Sequence, residues 1–169
     1  MKGLKLFSVA TAMAVLWSCT NANFQLSDDY DYVFDRNGRV NDYRVQEGKP
    51  FVANLYELDA LKFVLSRTDH GKIDRFIKEC PDWEFVFYCG CHVCDSSALV
   101  SLLDKYDCDF PVILDSRKEA WVMNDENCSG ISHICRRDGK KIGYGVIGVA
   151  GSDFDRYFDQ ARCDVQRKK

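Results

Sequence analysis

Phe85-Val86-Phe87-Tyr88-Cys89-Gly90-Cys91-His92-Val93-Cys94 is the stretch that decides how this chain is read. An apolar, β-prone run ends in three closely spaced cysteines, the last two set as Cys-x-x-Cys. A segment of helical period follows at once, over 95–106, with Leu99, Leu102 and Leu103 on one face. Strand, then Cys-x-x-Cys, then helix places a thiol at a helix N-terminus. Free backbone N–H groups and the positive end of the helix dipole favour the thiolate there, and the thiolate is the reactive form.

Downstream, 110–114 is a continuous apolar run, as expected of a strand buried on both faces. Ser116 is placed to cap a helix reaching about Met123, with Glu119 as its capping-box partner. Residues 131–135 read as a strand, Asp138-Gly139 as a turn, and 141–147 as the returning strand of a hairpin. A final helix covers about 152–163, its apolar stripe made by Phe154, Tyr157, Phe158 and Ala161. Upstream, 55–67 carries Leu58, Leu61, Val64 and Leu65 at helical spacing, and 73–80 continues as a second helix stopped by Pro81. Asn37-Gly38, between 32–34 and 40–45, marks a further hairpin. From residue 84 the order is β-α-β-α-β-β-α. Strands joined through helices pair in parallel, and the hairpin adds an antiparallel strand.

The chain begins differently. Lys2 and Lys5 precede an uncharged apolar run over 6–17. That run is shorter than the roughly 20 residues a spanning helix needs, so 1–18 reads as a secretory signal peptide. Its end, Leu16-Trp17-Ser18-Cys19, resembles a bacterial lipoprotein signal, which implies a lipid on Cys19. The expected organisation is a signal over 1–18, a tether and extension over 19–54, and one folded domain over 55–169. Export implies an envelope location, facing periplasm or cell surface, where disulfides persist. With 169 residues, 46% of them apolar, one domain with a real core is affordable, and a net charge of −3 argues against nucleic acid.

Nine cysteines are present, and Cys80, Cys89, Cys91, Cys94, Cys108, Cys128, Cys135 and Cys163 remain once Cys19 is set aside. Their connectivity is open. Cys91 and Cys94 are the candidate redox pair. Cys89, Cys91, His92 and Cys94 are also soft or borderline ligands that suit Cu(I) or Zn²⁺. A protonated His92 would favour the Cys91 thiolate. Cys89 reads as a buried strand-end residue, a third redox thiol, or a partner for Cys128. No resident cofactor is called for.

Two further motifs fall in order: Asp109-Phe110-Pro111-Val112-Ile113-Leu114-Asp115 and Arg136-Arg137-Asp138-Gly139-Lys140-Lys141. With the Cys-x-x-Cys, over about 73–161, the chain resembles the thioredoxin-like family. More narrowly it is similar to lipid-anchored extracytoplasmic members from Gram-negative bacteria. The resemblance implies an α/β three-layer sandwich, a central mixed sheet flanked by helices, with an N-terminal extension. It implies thiol–disulfide exchange, with Cys91 as the exposed attacking thiol and Cys94 as the shielded resolving one. Protein disulfides or thiols would be the substrates, with a membrane redox partner. The family sets a cis-proline loop opposite its Cys-x-x-Cys. The equivalent here is Gly130-Ile131, so a trans peptide is expected, and Cys128 just before it would face Cys91. A non-catalytic binding module of the envelope is the alternative use of such a fold.

Overall fold

The computed structural model describes residues 23–67 and 70–166. The expected signal segment and Cys19 lie outside them. The elements run β1 (Tyr32–Asp35), β2 (Gly38–Arg39), β3 (Phe51–Glu57), α1 (Leu58–Arg67), α2 (His70–Glu79) and β4 (Glu84–Gly90). A 3₁₀ turn (Val93–Asp95) then leads to α3 (Ser96–Lys105), β5 (Val112–Leu114), α4 (Glu119–Met123), β6 (Ile131–Cys135), β7 (Lys141–Gly145) and α5 (Phe154–Gln166).

The strands form one mixed sheet in the order β2-β1-β5-β4-β3-β6-β7. β4 pairs in parallel with β3 on one side and β5 on the other, and β6 runs antiparallel to both β3 and β7. The two central strands alternate between two cores. On β3, Val52 and Tyr56 face one side while Phe51, Ala53 and Leu55 face the other; on β4, Phe85, Phe87 and Cys89 oppose Val86 and Tyr88. The first core is roofed by Leu61, Val64 and Leu65 of α1, Ile73 of α2, Leu99 and Leu103 of α3, and Phe154 and Phe158 of α5. The second is covered by Ala120 and Trp121 of α4 and by an N-terminal strap carrying Phe24, Leu26 and Tyr30. Tyr88 pins that strap, its hydroxyl donating to Ser27 O at 2.9 Å and accepting from Ser27 N at 3.0 Å.

The returning strand of the first hairpin, expected over 40–45, is the two-residue β2, and three further expectations change. The helix expected from residue 55 begins at Leu58, because 51–57 is the central strand β3. A strand buried on both faces lacks the alternating pattern that announces strands, and the Leu55-to-Leu58 spacing mimics a helical step. A domain boundary at 55 would therefore cut β3, and the expected extension contributes β1, β2 and most of β3 to the same sheet. The second change is at α4. The buried Asp115 carboxylate, not Ser116, caps it, accepting from Glu119 N and Ala120 N at 2.9 Å each. Ser116 instead donates its hydroxyl to Asp31. The third concerns what the loop before β6 faces, described next. The Gly130–Ile131 peptide is trans, as expected.

Candidate active site

The cysteine cluster sits at the C-terminal edge of β4. Parallel pairing sets Gly90 beside Glu57, and Cys89 beside Tyr56. Cys91 N donates to Cys89 O at 3.0 Å, so Cys89-Gly90-Cys91 closes as a γ-turn as the strand ends. Both flanking thiols enter the helix-roofed core, Cys89 at 0% exposure and Cys91 at 8%. The two thiols act on each other's ionisation through a thiol–thiol interaction in which Cys89 keeps its proton. That interaction holds the Cys91 pKa below an ordinary thiol's, against the opposing effects of burial and the Asp95 carboxylate. The same interaction pushes Cys89 far up, and burial adds to it. Cys91 is therefore the more easily ionised thiol of the pair.

Cys94 lies in the 3₁₀ turn that feeds α3, and it is exposed. His92 is exposed as well. The accessibility expected of the two site cysteines is thus reversed: Cys91 is the shielded thiol and Cys94 the open one. The reason is local. Cys91 still follows the pleat of β4 into the core, whereas the chain has turned outward by Cys94.

Gly90 has a packing role. A Cβ there would stand 3.3 Å from Lys118 Cε and 3.3 Å from Trp121 Cη2. These side chains close over the strand end, and Lys118 Nζ ion-pairs with Glu57. Neither Lys118 nor Trp121 carried a sequence signal, because their roles depend on how α4 crosses the sheet edge.

The loop before β6 docks on β3 rather than on β4. Gly130 N donates to Leu55 O at 2.8 Å, and Glu57 N donates to Ser129 Oγ at 2.6 Å. β3 stands between β4 and β6, so Cys128 does not face Cys91. Exposed Cys128 lines a cleft of about 640 Å³ together with Glu57, Lys118, Trp121, Val122 and Ser129. What the loop does face is Glu57-Leu58-Asp59-Ala60, where β3 passes into α1, and no thiol is found there.

Cys89, Cys91, Cys94 and His92 do not gather round a common point. Among the described residues no three His, Cys, Asp or Glu side chains are arranged to hold a metal ion. Two of the four enter the core and two face solvent, which undoes the ligand set the spacing offered. Cys108 and Cys135 are buried thiols pushed up to about 12 by burial, and hence unreactive. Cys80 is buried and Cys163 exposed, and all the described cysteines are unbridged.

No protein-family model matches the chain, and no curated protein matches it by sequence. Solved structures do match in shape. A thioredoxin-like protein solved in solution in its oxidised form superimposes with a TM-score of 0.57, covering 86% of this chain and 97% of that one at 12% identity. The fold is thioredoxin-like. A secreted Mycobacterium tuberculosis disulfide oxidoreductase, described as homologous to E. coli DsbE, gives 0.52 over 79% of this chain and 96% of its own at 16% identity. A thiol-disulfide oxidoreductase from Bacteroides fragilis gives 0.52 over 83% and 99% at 9% identity. At such identities the likeness is one of fold. Within this thioredoxin-like sheet the thiols stand one strand away from the position opposite the β6 loop. No helix among the described residues is long and apolar enough to cross a membrane.

Proposed function

We propose that the protein is an exported thiol–disulfide oxidoreductase, held to a membrane by a lipid on Cys19, that works through the cysteines at the end of β4. One observation carries this reading: a shielded thiol of lowered pKa, Cys91, lies three residues from an exposed thiol, Cys94. The fold shared with proteins named disulfide oxidoreductases and the lipoprotein-like leader support it.

The chemistry follows from accessibility. Of the three thiols at the end of β4, only Cys94 can meet a protein disulfide without opening the core. Its thiolate attacks, one substrate sulfur leaves, and a mixed disulfide forms on Cys94. The Cys91 thiolate then attacks the Cys94 sulfur and releases the second substrate sulfur. Recharging needs a dithiol or disulfide partner in the membrane. Reduction of insulin by the dithiothreitol-charged protein tests the reading. Cys94→Ser abolishes it, and Cys91→Ser accumulates mixed disulfides on Cys94. Trapping on Cys91 in Cys94→Ser would reverse the roles, and an inert wild-type protein would sink the reading.

A second reading is a non-catalytic binding module. It is favoured by the thiol-free turn after β3 and the cleft in front of it. An inert wild-type protein would support this reading.

A further inference from the structure

We infer that the two-electron store of this site is Cys89 with Cys91, and that Cys94 is the entry thiol only. The inference rests on the proposed redox function and goes beyond it by assigning the resting disulfide to a Cys-Gly-Cys pair.

Three features of the strand end lead there. The γ-turn bond from Cys91 N to Cys89 O draws the two α-carbons together, where an extended strand would hold them apart. Both side chains lie on the same face of the sheet, in the same core cluster. Both thiols are buried beside one another, whereas Cys94 is exposed. Gly90 sits at the centre of the turn, and Lys118 and Trp121 close over it. The turn is therefore held shut from the opposite side of the strand.

The electrons balance over three exchanges. Cys94 takes one substrate sulfur and releases the other as a thiolate. Cys91 attacks Cys94, forming Cys91–Cys94 and expelling the second substrate thiolate. Cys89 then attacks the Cys91 sulfur, forming Cys89–Cys91 and freeing Cys94. The proton lost by Cys89 passes to the departing Cys94 sulfur. In sum the substrate disulfide is reduced to two thiols, and Cys89 and Cys91 supply both electrons. The oxidised pair is then buried at the sheet edge while Cys94 stays free on the surface.

Differential alkylation tests this. The reduced full-length protein is oxidised with insulin or oxidised glutathione, and free thiols are blocked under denaturing conditions. Bridged thiols are then reduced, labelled with a second reagent and located by fragmentation. The expected map has Cys89 and Cys91 bridged and Cys94 blocked as a free thiol. A Cys91–Cys94 bridge with Cys89 free would overturn the inference and leave the redox reading standing. No bridge among the three would overturn both. A rate gives a second readout. In Cys89→Ala only Cys91–Cys94 can form, and dithiothreitol should reduce it roughly tenfold or more faster than the wild-type bridge, because access to the sulfur limits exchange. Equal rates would also overturn the inference.

Discussion

Replacing Glu126 with Gln removes a charge from a half-buried cluster at the rim of the cleft. Glu126 Oε1 accepts from Lys141 Nζ and lies 3.3 Å from His133 Nε2, the latter at ion-pair rather than hydrogen-bond geometry. The three side chains are only 14%, 19% and 9% exposed, so solvent screens them weakly. His133 is the largest influence on the carboxyl, burial opposes it, and Lys141 adds to it; together they hold its pKa at about 2 against an ordinary 4.5. At about 1.4 kcal/mol per pH unit, that depression is worth at most about 3.5 kcal/mol. The sign is fixed by its direction. A carboxyl whose pKa is lowered in the folded state stabilises above pH 4.5 and loses that contribution as pH falls through about 2. Urea unfolding of wild type and Glu126→Gln measures it. The variant should be weaker by about 2 to 3 kcal/mol near pH 6, and the gap should narrow to under about 1 kcal/mol near pH 2. Taking the difference matters, because burial raises the pKa of Asp115 and Glu84. Their contributions run the opposite way with pH and cancel between the two proteins. A gap of equal size at both pH values, or none near pH 6, would refute the reasoning.

Two packing predictions are independent of pH. At Gly145 a Cβ would come within 2.5 Å of Phe154 N and 2.7 Å of Phe154 Cα, backbone atoms that cannot swing aside. Gly145→Ala should therefore push β7 off the start of α5 and cost about 1–3 kcal/mol in denaturant unfolding; an unchanged midpoint would show that the contact is loose. Tyr88→Phe strips both Ser27 backbone groups of their partner, at a cost of about 1–3 kcal/mol. Limited proteolysis should then cut the strap over 23–30 faster than in wild type, and an unchanged rate would place its anchorage elsewhere.

The strand–cysteine–helix order was legible because each piece has its own pattern. The run ending in Tyr88, the Leu99-Leu102-Leu103 stripe and the Asp138-Gly139 turn all fell where the structure places them. β3 was not legible, although it stands between β4 and β6 in the sheet. It is apolar on both faces, and Asn54 interrupts it, a polar residue whose side-chain N–H finds its acceptor, Val86 O at 3.0 Å, only in the fold, while its Oδ1 stays buried without a partner. Missing β3 had a specific consequence. It made the strand of Cys89 and Cys91 look like the neighbour of β6, and so set Cys128 opposite the wrong strand. The reversed exposure of Cys91 and Cys94 was hidden for another reason: side-chain direction at a strand end depends on where the pleat stops, and spacing does not record that.

The central claim is that the thiols at the end of β4 exchange electrons although the turn after β3 carries none. The most direct test is to count free thiols while the protein equilibrates in glutathione buffers of graded potential. The account predicts one two-thiol transition in the wild type that vanishes in Cys91→Ala and survives in Cys128→Ala. A transition that survives Cys91→Ala, or thiols that stay free across the whole range, would contradict it.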